Sequence, residues 1–145
     1  MTGRATVAIL RASRAAHIPS DRVLRRWAGA VLPDGSTVAV RYVGEAEGRR
    51  LNRQFRGKDH ATNVLSFPYD SAPLRGDVVI CAPVVAREAR EQGKALRAHH
   101  AHLLVHGLLH LRGYDHERGP RDANRMESRE RAILAGLGFG DPYAV

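Results

Sequence analysis

At 145 residues the chain is long enough to bury one hydrophobic core without disulfide staples, and its lone cysteine, Cys81, excludes an internal disulfide framework or a cysteine-rich zinc finger. Lys+Arg 23 against Asp+Glu 15 gives a net charge of +8, a balance that favours phosphate-bearing or other acidic partners. The early part of the chain is punctuated by arginines and has no long apolar run, which argues against a secretory signal or membrane span and predicts a cytoplasmic protein with no membrane partner.

In chain order, "ATVAILRAS" reads as a strand, and "SDRVLRRWAGAVL" as a helix that opens on Ser20 or Asp21 and carries apolar residues at helical spacing. "PDGSTVAVRYVG" turns at Asp34 and Gly35 into a second strand. Glu45 to Phe55 reads as a short helix, "NVLSFPYD" as a third strand and "GDVVICA" as a fourth, with Cys81 buried near its end; the Pro and Gly of "SAPLRG" join the last two. Three helices follow: from Pro83 to a stop at Gly93, from Ala95 to Arg112, and from Arg121 to Leu137 before Gly138. The pattern predicts one α+β domain over 1–145, a small mixed sheet of about four strands packed with about five helices. Strands one and two, separated by a helix, are expected to pair in parallel with a right-handed crossover, and strands three and four to form a hairpin; the sheet order stays open.

Chemistry concentrates in "HGLLHLRGYDH", residues 106–116. His106 and His110 stand four apart on a predicted helix and can aim both imidazoles at one ion. His102 continues the series, but at 1.5 Å rise per residue it lies about 12 Å along the axis from His110, whereas a zinc–nitrogen bond is only about 2 Å. The third ligand must come from elsewhere. A break at Gly113 lets His116 fold back, giving the triad His106, His110 and His116. Three histidines leave a tetrahedral Zn2+ one open position, as in catalytic sites, although such a set also suits nickel, copper or iron. The spacing matches the zinc-protease pattern H-E-x-x-H-x-x-G-x-x-H except that Gly107 replaces the general-base glutamate, which argues against peptide cleavage. Asp115 and Glu117 are nearby carboxylates able to orient a ligand or move a proton. His17, His60, His99 and His100 read as surface or partly buried residues, and His102 as a core residue or one that supports a ligand. In "FRGKD", read as a glycine-containing loop leading into a strand, the Arg56 guanidinium can grip a phosphate bidentately and Lys58 can add a point charge.

"HGLLHLRGYDH" also agrees at every fixed position with H-G-x-L-H-L-x-G-Y-D-H, and by it the chain resembles the YbeY family of bacterial rRNA maturation factors, metal-dependent single-strand endoribonucleases. "LNRQFRGKDHATNVLSFP" is similar to that family's L-N-x-x-[YFW]-R-x-K-D-x-P-T-[ND]-V-L-S-F-P, and "GDVVICAPVVAREAREQGK" and "LGFGDPY" resemble its later segments. The resemblance runs from about residue 50 to the C-terminus, with Ala61 standing where the family usually has proline.

The resemblance implies a zinc-dependent endonuclease for single-stranded or ribosomal RNA, acting in rRNA processing at the 3′ end of 16S rRNA and in ribosome quality control. Partners would be the small ribosomal subunit or its associated proteins. His106, His110 and His116 would hold one Zn2+, Arg56 and His106 would be catalytic, and Arg56 with Lys58 would engage the substrate. Direct hydrolysis at phosphorus and attack by the RNA 2′-hydroxyl both stay open. The competing readings are a metallopeptidase or other zinc hydrolase, and a non-catalytic ribosome-associated factor whose metal is structural.

Overall fold

The computed structural model of the chain describes residues 4–13, 15 and 17–144. Among the described residues nine elements follow one another: β1 (Thr6–Arg11), α1 (Asp21–Gly29), β2 (Thr37–Val43), α2 (Glu45–Arg56), β3 (Val64–Ser71), β4 (Leu74–Cys81), α3 (Ala82–Gln92), α4 (Leu96–Leu111) and α5 (Pro120–Gly136). The α+β expectation of four strands with five helices is met. The sheet order is β1-β2-β4-β3. β1 pairs in parallel with β2, β2 in parallel with β4, and the β3–β4 hairpin is antiparallel. Strand β4 begins at Leu74, earlier than expected, because the hairpin turns tightly at Ala72–Pro73 and Ser71 already pairs with Leu74.

Strand alternation divides the interior into two clusters. Val38, Val40 and Tyr42 of β2 with Val78 and Ile80 of β4 face the main core, built with α1, α4 and α5 around Leu24, Trp27, Leu104, Leu108 and Leu134. Val43, Leu65, Val79 and Cys81 form a smaller cluster with Val84 and, at its margin, Leu51 of α2. Cys81 is thus the buried strand-end residue expected from its apolar surroundings.

Helix α4 crosses the main-core face against β3 and β4, and at Gly107 it lies close against both strands. A Cβ built there would stand 2.9 Å from Val78 Cγ1 and 3.0 Å from Val64 Cγ2. Ser66 on β3 donates its hydroxyl to the Gly107 carbonyl at 2.8 Å, pinning helix to strand at the same point. Enclosed on most sides, α4 buries His99 and His100 along with most of its leucines, so both are fully buried and not the surface or partly buried residues expected. His99 meets Glu88 of α3 at 2.9 Å, and His100 Nδ1 lies 3.3 Å from the Tyr42 hydroxyl. These polar partners offset the cost of burying two imidazoles.

Candidate metal centre

His102, His106 and His110 lie on one face of α4 because they are spaced by four. The helix ends just past His110. Gly113, at φ +96°, takes a left-handed turn that an L side chain resists, and the following loop brings His116 back over the helix end. His110 Nε2 lies 3.2 Å from His106 Nε2 and 3.1 Å from His116 Nδ1, and the three donor atoms fall within 4.8 Å of one another. A tetrahedral ion with bonds of about 2.0–2.1 Å sets its ligand atoms about 3.3 Å apart. The donor set therefore fits a divalent ion. Burial first, then the neighbouring imidazoles of His106 and His116, pulls His110 down to about 4, so at neutral pH it presents the unprotonated nitrogen that coordination requires.

Behind the triad sits a residue that the sequence reading missed. Glu130, from α5, is fully buried; its Oε1 meets His106 Nδ1 at 2.8 Å and its Oε2 meets His102 Nε2 at 2.7 Å. Tyr143, near the C-terminus, donates its hydroxyl to the same Oε2 at 2.5 Å. Burial alone would raise the Glu130 carboxyl, but hydrogen bonds from His102, His106 and Tyr143 outweigh it and hold it down at about 2. As a carboxylate it fixes the His106 proton on Nδ1 and leaves Nε2 free to face the ion, the arrangement that orients many metal-bound imidazoles. His102, His106 and Glu130 also form a cluster of potential ligand atoms, yet there each imidazole nitrogen faces its own carboxylate oxygen at hydrogen-bonding distance. His102 thus contacts Glu130, as a supporting residue would.

The triad opens onto a cleft of about 540 Å³ whose lining includes Arg56, Lys58, Asp115 and Glu117 as well as His106, His110 and His116. The five residues predicted to hold the metal or engage the substrate, His106, His110, His116, Arg56 and Lys58, therefore come together on one concavity with the two carboxylates. Arg56 is the last residue of α2 rather than part of a loop, because the helix continues to Gly57, which closes it in a left-handed conformation. Its Nη2 donates to Glu117 Oε1 at 3.2 Å across the cleft. Asp115 accepts the Glu117 backbone N–H at 2.8 Å, shaping the loop that carries His116. His60, read from sequence as unremarkable, lines the cleft, as do Asn63 and Ser66.

The family model described as Endoribonuclease YbeY matches residues 17–138. The chain belongs to the YbeY family. Among its relatives, the Endoribonuclease YbeY of Aromatoleum aromaticum is 59% identical over 134 residues, covering 92% of this chain and 86% of the relative. That of Alkalilimnicola ehrlichii is 54% identical, covering 88% and 84%, and that of Stenotrophomonas maltophilia strain R551-3 is 54% identical, covering 97% and 94%. The solution structure of TM1509 from Thermotoga maritima superposes with a TM-score of 0.63 at 25% identity, covering 97% of this chain and 100% of that one. Membership places the "HGLLHLRGYDH" triad and the α2 terminus within the matched YbeY span, whereas Tyr143 lies beyond it.

Proposed function

We propose that the chain is a zinc-dependent endoribonuclease that cuts single-stranded RNA in rRNA maturation, including the 3′ end of 16S rRNA, and in ribosome quality control. It works in the cytoplasm as one domain over 1–145, with the small ribosomal subunit or its associated proteins as partners. The observation that carries this reading is the convergence of three imidazole nitrogens, spaced for one ion, with Arg56 and Lys58 on a single cleft of a YbeY family member.

In it, His106, His110 and His116 hold the ion, and zinc suits three imidazoles at tetrahedral spacing. When bound, such an ion supplies Lewis acidity toward a phosphoryl oxygen and lowers the pKa of a coordinated water. Arg56 engages the non-bridging phosphate oxygens, offsetting charge that grows in the transition state, and Lys58 adds attraction. Glu117 holds Arg56 across the cleft until a phosphate displaces it. Glu130 keeps the His106 ring turned toward the ion.

Support against a peptidase comes from Gly107. The position that carries the protease glutamate faces Val78 and Val64 with no room for even a methyl group, so a base placed there would be driven into the sheet and away from the metal. Support against a purely structural ion comes from the cleft itself, since closed structural sites surround the metal with four protein ligands. Metal content of the purified protein, followed by cleavage assays on single-stranded RNA and on peptides, tests the reading. RNA cleavage lost on chelation and restored by zinc is expected; peptide cleavage, or RNA cleavage indifferent to metal, would overturn it. Product ends then separate the two chemistries, because attack by the 2′-hydroxyl gives a 2′,3′-cyclic phosphate and direct hydrolysis does not.

A further inference from the structure

Among the described residues, the exposed large hydrophobic side chains are Leu10, Phe55, Tyr69 and Tyr143. The two tyrosines spend their hydroxyls on carboxylates, Tyr143 on Glu130 and Tyr69 on Asp77 at 2.7 Å. Leu10 stands on the edge strand β1. Phe55 has a different setting. It is 56% exposed near the end of α2, a helix of mostly polar residues, and cations flank it at Arg53, Arg56 and Lys58.

Its ring meets that of Phe67 in β3 edge to face, with centroids 5.1 Å apart. Phe67 is itself seated against the smaller core cluster, so the exposed phenyl has a fixed support. Along β3, Ser66 and Pro68 line the metal cleft while Phe67, between them, belongs to the opposite face. β3 is the terminal strand of the sheet. The aromatic pair therefore sits around the open edge of β3 from the triad, and Arg56, the residue after Phe55, reaches the cleft.

We infer that Phe55, supported by Phe67, is a stacking platform for a base of single-stranded RNA next to the phosphate engaged by Arg56 and Lys58. This rests on the RNA reading above and adds a subsite to it. The occupant follows from charge complementarity: an apolar ring set among cations matches a base flanked by phosphates, and every base offers a π-face whatever its sequence. A base paired within a duplex is already stacked on both sides, so only an unpaired one can leave its neighbours for Phe55. The platform thereby contributes to the preference for single strands.

The buried Trp27, 2% exposed, is the sole native tryptophan, which makes Phe55→Trp a local reporter. Fluorescence of the metal-loaded variant, read by stopped flow within seconds of mixing, should be quenched by a single-stranded RNA oligonucleotide and not by the same sequence in a duplex. Phe55→Ala should weaken single-strand binding by about 5- to 150-fold, the range expected for loss of one stacked base, with an unchanged salt slope because no phosphate contact is removed. Phe55→Tyr should restore binding, and the melting temperature of each variant separates lost stacking from lost folding. RNA bound and cut normally by the wild type, with unchanged affinity in Phe55→Ala and no quenching in Phe55→Trp, would overturn the platform alone. No RNA binding by the wild type would overturn both readings.

Discussion

Glu130 and His106, 24 residues apart in sequence, meet at 2.8 Å in the interior, and through that contact α5 sets the orientation of a ring on α4. A buried carboxylate behind a metal-facing imidazole raises ligand basicity and fixes its tautomer. Glu130→Gln keeps the volume and removes the charge. It should weaken zinc affinity about 10- to 100-fold in competition with a chromophoric chelator, the range typical of such supporting partners. Affinity equal to the wild type would show that His106 orients itself.

His102 shares Glu130 with His106 but contributes to no part of the triad. His102→Ala should therefore retain near-stoichiometric metal under saturating zinc, while His110→Ala and His116→Ala should lose most of it. Metal content by mass spectrometry after desalting decides this. Loss in His102→Ala with retention in His116→Ala would move the ion to the His102, His106 and Glu130 cluster.

Arg56 distinguishes transition-state stabilisation from simple attraction. Its removal should lower saturated RNA turnover by about 30- to 1000-fold, roughly 2 to 4 kcal/mol, with a smaller effect on binding. Arg56→Lys should recover part of the rate, since an ammonium keeps the charge and loses the fork. Arg22→Ala, an exposed change on α1 away from the cleft, should slightly reduce RNA affinity and its salt dependence and leave turnover alone. Equal behaviour of Arg56→Ala and Arg22→Ala would remove Arg56 from the chemistry.

Acid stability should depend on His100. Burial lowers its pKa from 6.5 to about 4, with a further push from His99. The unfolded chain therefore takes up a proton below pH 6.5 that the folded chain refuses until about pH 4. The contribution is complete above pH 6.5 and is lost as pH falls through that window, by up to about 3 kcal/mol. Urea unfolding of the wild type against His100→Gln should show the variant less sensitive to pH between 6.5 and 4. Parallel pH profiles would mean that His100 does not govern this slope.

Gly107→Ala tests the close approach of α4 to the sheet. The added methyl would meet Val78 Cγ1 at 2.9 Å, and β-branched side chains on a packed strand have little freedom to retreat. Overpacking of this kind costs about 1 to 3 kcal/mol, so the melting temperature should drop. An unchanged or raised melting temperature would show that the helix shifts freely at this point.

What was legible in the sequence was local. The His106, His110 and His116 spacing and the Gly113 break lie within eleven residues, and "FRGKD" carries both cleft cations on one short stretch. Glu130 was not legible, because a glutamate on a charged helix looks like its solvated neighbours until α5 packs on α4. His99 and His100 were misread for a related reason: α4 carries histidines on its buried sides as well as along the partly exposed His102, His106 and His110 face, so residue type alone does not separate the two, and their partners Glu88 and Tyr42 come from other elements, α3 and β2. The insertion of β4 between β2 and β3 likewise depends on packing that no local pattern records.

The central claim, that the three imidazoles hold an ion needed for RNA cleavage, is met most directly by following one end-labelled single-stranded RNA through a chelation and repletion cycle. Wild-type cleavage should vanish with the chelator and return with one equivalent of zinc, while His110→Ala stays inactive in both states despite a native fold by circular dichroism. Cleavage that persists after the metal is removed, or that survives in His110→Ala, would contradict the account.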